Sequence, residues 1–205
     1  MYLHRIRAKT AVVVIDMQEK SFKLGKLPPD YVAEKVTEEI YRKCRMAEYK
    51  YGTLEQGIQR VCKLLNLARD IGIPILITES IGDHETIPRI IEAANVVPIQ
   101  KAFDSAFSVP NFRRWIELLE LKSIIVAGFE ISKCVLATIR DAVEDTYKIK
   151  TGRVRIITSP ELLFTGRGQT EERVEETLRF LREKTEFHEA AEGLIAAIHR
   201  EHEVR

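Results

Sequence analysis

The sequence predicts an α/β fold: a three-layer αβα sandwich around a central, mostly parallel, six-stranded Rossmann-like sheet. Three observations lead to it. Residues 11–15 and 124–127 are continuously apolar, the pattern of strands covered on both faces. Such runs alternate along the chain with segments of helical periodicity, as in parallel sheets joined by helices. No linker, repeat or low-complexity tract interrupts the alternation in 205 residues, so one domain over 1–205 is expected.

Taken in order, the first strand covers residues 11–15. A helix follows over 54–71, with Leu54, Ile58, Val61, Leu65 and Ala68 on one face and Gly72 closing it. Residues 73–78 form the second strand. A short helix over 86–94 carries Pro88 in its first turn, where a missing N–H costs nothing. Residues 96–99 make a third strand, and Ser108 is expected to cap a helix running to 120. The fourth strand, 123–127, leads through Gly128 into a helix from 132 or 133 to 145. Residues 154–158 form the fifth strand, and 159–169 a loop. Thr170 caps a helix opened by Glu171 and Glu172, acids suited to a helix N-terminus. Residues 185–188 are a sixth, edge strand, and 190–199 the last helix. Residues 25–53 stand outside the alternation as a peripheral helical insert, with Val32, Val36, Ile40 and Cys44 as a narrow stripe.

The charge is balanced, with 32 Lys and Arg against 31 Asp and Glu, so nothing draws the chain as a whole to nucleic acid or an acidic membrane. No apolar run approaches the roughly 20 residues that span a bilayer. Residues 1–7 lack the apolar core of a secretory signal. Cys44, Cys62 and Cys134 are odd in number and lack metal-type spacing, which suggests reduced thiols and a cytoplasmic protein.

In an open α/β sheet, ligands bind beyond the carboxyl ends of the strands. Asp16 follows the first strand, Lys101 the third and Cys134 the fourth, so a carboxylate, an ammonium and a thiol are expected at one sheet edge. Asp16 could take the thiol proton and Lys101 hold the carboxylate in place. Backbone N–H groups at the start of the Cys134 helix could hold an oxyanion and favour a thiolate. Taken singly, each residue has a second role open to it: Cys134 as a buried structural thiol, Asp16 as a cap after the strand, Lys101 as a solvated surface charge.

At these residues the chain resembles the isochorismatase-like cysteine hydrolases, a superfamily that includes nicotinamidases and N-carbamoylsarcosine amidases. Four segments carry the resemblance: Val13-Val14-Ile15-Asp16-Met17-Gln18; Lys101-Ala102-Phe103-Asp104-Ser105-Ala106-Phe107; the Gly128-to-Cys134 spacing; and Cys134-Val135 with Thr138, Asp141 and Ala142. The resemblance implies a catalytic triad of Asp16, Lys101 and Cys134, and a cis peptide bond at Phe129–Glu130. It implies an oxyanion hole from the N–H groups of Glu130 and Cys134, and hydrolysis of a C–N bond in a small amide-type substrate through a thioester. Phe22, Glu79 and Phe107 are the expected substrate-binding residues, with a loop or capping role equally open to Glu79. Metal-binding relatives carry Asp-x-His and a further His after the second strand; here Asp83 and His84 are adjacent, so neither metal nor cofactor is expected. A homo-oligomer, dimer or tetramer, is expected, with no nucleic-acid or membrane partner. Two other readings remain at this point: a non-catalytic binding or assembly protein on the same fold, and an ether hydrolase of the isochorismatase type. A thiol redox sensor would need Cys44 or Cys62 close to Cys134.

Overall fold

The computed structural model describes residues 9–22, 47–82, 85–150, 152–166 and 169–203. The strands are β1 (Thr10–Ile15), β2 (Ala47–Glu48), β3 (Ile75–Ser80), β4 (Ile99–Lys101), β5 (Ser123–Phe129), β6 (Arg155–Gly166) and β7 (Glu186–Phe187). The helices are α1 (Glu19–Phe22), α2 (Leu54–Asp70), α3 (Pro88–Ala94), α4 (Pro110–Leu118), α5 (Leu136–Glu144), α6 (Glu171–Lys184) and α7 (Ala191–Glu203). Six strands are parallel in the order β4-β3-β1-β5-β6-β7, which is the expected sheet. The two-residue β2 adds an antiparallel pairing to Thr165 and Gly166 at the far end of β6.

Alternation along the strands builds the two outer layers. Val12 and Val14 of β1 point into one core, shared with Val61 and Leu65 of α2, Ile90 of α3 and Leu194 of α7. Ala11, Val13 and Ile15 point into the other, with Phe112 and Ile116 of α4, Ile139 of α5 and Leu178 of α6. The central strands therefore lack a solvent-facing side, which is why their sequence does not alternate.

Local signals fix several element ends. Thr53 and Gln56 form a reciprocal capping box at the start of α2, and Gly72, at φ 76°, follows its end. Thr170 caps α6 by accepting from the Arg173 N–H. Ser108 does not cap α4; that helix starts at Pro110 after Val109, and it is Ser105 that caps the preceding short turn, Ala106–Ser108. The helix carrying Cys134 opens with a π-turn, Ile131–Val135, before α5 begins.

The largest departure from expectation lies at 159–169. Instead of forming a loop, β6 continues to Gly166. Its pairing with β5 shifts from Val126–Thr158 to Gly128–Leu163, so residues 159–162 bulge out and the strand resumes. Pro160, which has no N–H to give a ladder, falls within that bulge. Leu162 at the end of the bulge, and Leu163 and Phe164 beyond it, are buried. Of the expected 25–53 insert, the stripe Val32, Val36, Ile40 and Cys44 lies outside the described residues, as do Asp83 and His84.

Candidate active site

Asp16 is the first residue beyond β1, and it adopts a left-handed conformation, φ 48°. Asp tolerates this region better than most residues, and such turns collect at functional sites. Met17 fills the core, and Gln18 doubles as an extra strand residue: its Nε2 donates to Ser80 O and its Oε1 accepts from Ser80 N, both at 3.0 Å. That pair fixes Ser80 at the end of β3. Ser80 Oγ in turn donates to Asp16 Oδ2 at 2.9 Å, and Thr78 Oγ1 to Oδ1 at 3.4 Å.

Lys101 ends β4 and is 1% exposed, so it is not a surface lysine. Its Nζ lies 2.7 Å from Asp16 Oδ2, 3.2 Å from Ser80 Oγ and 3.0 Å from Phe103 O. Three acceptors meet three N–H donors, which is what a buried ammonium requires.

Cys134 sits in the π-turn beyond β5, half-buried, where the charge of the Asp16 carboxylate acts on its thiol. On its outer side Sγ donates to Asp104 Oδ1 at 3.7 Å. Thr138 secures this turn to the segment after β4: its fully buried Oγ1 donates to Cys134 O at 2.8 Å and accepts from the Ala106 N–H at 3.0 Å. The peptide bond Phe129–Glu130 is cis. Gly128 precedes it at φ 140°, where a Cβ would lie 2.2 Å from Ile15 O. A glycine is therefore required for β5 to lie this close to the end of β1.

The electrostatics depart from the expected thiolate. Burial, then the negative charge of Asp16, push the Cys134 thiol up to about 12; Lys101 opposes them and Asp104 adds to them. Burial likewise raises Asp16, against the pull of Lys101. Burial thus favours the protonated form of both groups, and Lys101 opposes it at both.

Of the expected substrate-binding residues, none is brought to this group by a described contact. Glu79 points to the opposite face of β3 from Ser80, by strand alternation. There its carboxylate accepts from Thr86 N at 2.7 Å, Thr86 Oγ1 at 2.5 Å and Gln100 Nε2 at 2.5 Å, which ties the loop after β3 to β4. Phe107 is fully buried, edge-on to Phe112 with ring centroids 5.1 Å apart. It serves the core rather than a pocket wall. Phe22 ends α1, and its side chain lies outside the described residues. Cys62 packs against the core on the other face of the sheet from Cys134, so it is no resolving partner. Cys44 lies outside the described residues.

Sequence reasoning missed Ser80, Thr78 and Asp104. Ser80 had a signal in the alternation of β3, which puts it on the same face as Thr78 once the strand is extended by two residues. Asp104 had none, because its approach to Cys134 depends on how the loop after β4 turns. Among the described residues, no group of three His, Cys, Asp or Glu side chains could hold a metal ion, and no helix is long and apolar enough to cross a membrane.

A parallel sheet with charged and nucleophilic side chains gathered at its carboxyl edge defines an α/β enzyme scaffold. The isochorismatase domain model matches residues 10–151, and the chain belongs to the isochorismatase family of hydrolases. Its fold is similar to that of a proposed isochorismatase from Burkholderia xenovorans LB400, at 17% identity and TM-score 0.70, covering 94% of this chain and 88% of that one. A cysteine hydrolase from Pseudomonas syringae pv. phaseolicola 1448A is similar at 18% identity and TM-score 0.67, covering 98% and 96%. The Escherichia coli YcaC gene product, described as an octameric hydrolase of unknown specificity, is similar at 14% identity and TM-score 0.62, covering 91% and 78%. No curated protein matches the chain in sequence.

Proposed function

We propose that this protein hydrolyses a C–N bond of a small amide-type substrate, with Cys134 as nucleophile, Asp16 as general base and acid, and Lys101 as the fixed countercharge. The observation that carries the reading is the buried Lys101–Asp16 pair, at 2.7 Å, whose carboxylate also acts through its charge on the Cys134 thiol. Burying an ion pair costs more than packing apolar groups in its place, so its presence against a thiol suits chemistry better than stability.

In the proposed cycle, Asp16 takes the thiol proton as Sγ attacks the carbonyl carbon. The N–H groups of Glu130 and Cys134 receive the oxyanion. Asp16 then returns the proton to the nitrogen, the C–N bond breaks, and ammonia or an amine leaves a thioester on Cys134. A water molecule, deprotonated by Asp16, attacks that thioester and releases the acid and the thiol. Lys101 keeps the carboxylate oriented throughout. Hydrolysis of a vinyl ether needs no thiol nucleophile, so the position of Cys134 favours the amide reading. A reducing, cytoplasmic setting suits a free thiol nucleophile. By analogy with the octameric Escherichia coli relative, we take the working form to be a homo-oligomer.

The test is ammonia release across small amides, ureides and carbamoyl amino acids, comparing the wild type with Cys134→Ala. At least one compound should be turned over by the wild type and not by the variant. Equal release by both would reject the nucleophile. A non-catalytic protein on this fold would turn over nothing.

A further inference from the structure

The carboxylates at the carboxyl edge of the sheet are not equivalent. Asp16 is neutralised by Lys101. Glu130 pairs with Lys133 at 3.4 Å and accepts from Gln169 Nε2. Glu79 is buried on the other face, saturated by Thr86 and Gln100. Asp104 differs from all three. It is exposed, no cation pairs with it among the described residues, and its Oδ1 is 3.7 Å from the Cys134 sulfur. Among the described residues, then, the charge of Asp104 stands uncompensated on the outer side of the Cys134 sulfur.

The same loop and the one after β3 each carry an exposed apolar side chain. Phe103, the preceding residue, is 72% exposed, and Ile81 is 65% exposed. The two loops run together, since the Ile81 N–H donates to Lys101 O at 2.9 Å. An exposed aromatic ring attracts organic cations through its quadrupole, and a carboxylate does so through its charge. The same charge repels a carboxylate-bearing substrate.

We propose that Asp104 is a specificity residue which selects amides carrying a cationic group, an ammonium or amidinium on a short hydrocarbon arm. This rests on the hydrolase reading above and names its substrate class. With an attack distance of about 3–3.5 Å from sulfur to carbonyl carbon, a cation on Asp104 lies close to the scissile carbonyl. That geometry fits an arm of one to three methylenes, as in an ω-amino amide.

Two measurements test it. The first needs no turnover: the rates at which cationic (aminoethyl), neutral (methyl) and anionic (sulfonatoethyl) methanethiosulfonates label Cys134. Each is read on the Cys134 peptide by mass spectrometry and normalised to free cysteine. Loss of the Asp104 charge changes thiol reactivity toward all three reagents alike, so the cationic-to-anionic ratio isolates its field. The wild type should favour the cationic reagent by roughly tenfold or more at low salt. Asp104→Asn should bring the ratio close to that of free cysteine, and Asp104→Lys should invert it. An unchanged ratio in Asp104→Asn overturns the proposal whatever hydrolysis shows. The second compares kcat/KM for β-alaninamide, butyramide and succinamate. The wild type should prefer them in that order, and Asp104→Asn should lose the preference. If no amide is hydrolysed, the hydrolase reading fails while the labelling ratio still decides the role of Asp104.

Discussion

The ammonium of Lys101 lies 2.7 Å from the carboxylate of Asp16, and both side chains are closed off from solvent. Neither residue is near the other in sequence; β1, β3 and β4 bring them together, with Ser80 of the intervening strand bonded to both. Because each is the other's main compensation, removing one leaves a buried charge.

Lys101→Ala or Asp16→Ala alone should therefore cost about 3–5 kcal/mol of stability. The double replacement Asp16→Ala with Lys101→Ala should cost less than the sum of the two single changes. Urea unfolding of the four proteins gives the coupling energy. Additive losses would show that the pair is not a closed unit.

Cys134 should alkylate slowly at neutral pH, because burial and Asp16 hold its thiol up to about 12. Asp16→Asn removes the negative charge that raises the thiol most and leaves Lys101, so the thiol should fall toward its ordinary range. Iodoacetamide labelling of Cys134 at pH 8 should then be faster in Asp16→Asn than in the wild type, although turnover is lost. Slower labelling in the variant would mean that Asp16 already deprotonates the resting thiol.

Gly128→Ala should destabilise the protein by about 3 kcal/mol, an overpacking cost. The new Cβ would meet the backbone of Ile15 at 2.2 Å, and a strand backbone cannot rotate aside as a side chain would. The displaced strand end carries Asp16, so turnover should fall further than stability. Thermal melts and ammonia release on the purified variant check both.

Glu55 and Arg89 join α2 to α3 through two hydrogen bonds, at 2.5 and 2.7 Å. Those bonds hold the Glu55 carboxyl down to about 2, from an ordinary 4.5. A depressed carboxylate stabilises the fold above its unfolded value and loses that contribution as pH falls through the folded one. Both side chains are about half exposed, which limits the pair to about 0.5 kcal/mol. Glu55→Gln should lower stability by that small amount at pH 7, and the difference should shrink between pH 4.5 and 2. A gap that widens on acidification would contradict the assignment.

Much of the architecture is legible in the chain because it depends on local pattern. Unbroken apolar runs mark β1 and β5 as covered on both faces, and alternation with helical segments makes the sheet parallel. Asp16, Lys101 and Cys134 stand out because each falls at or just beyond a strand end that such a sheet exposes. What the pattern could not carry are features set by pairing across distant strands. The bulge at 159–162 and the resumption of β6 depend on register against β5. Glu79 and Phe107 look like pocket residues until the pleat turns one to the far face and the core encloses the other.

By itself, then, the sequence determined the sheet, its exposed edge and the three groups that share it. The tertiary structure decided their electrical state. Burial raised the Cys134 thiol instead of leaving it to the helix N-terminus, and Ser80 and Phe103 O completed the shell of Lys101. The loop after β4 set Asp104, unpaired by any described cation, against the sulfur. Periodicity and residue type travel along the chain; desolvation and charge pairing arise only where distant segments close on one another.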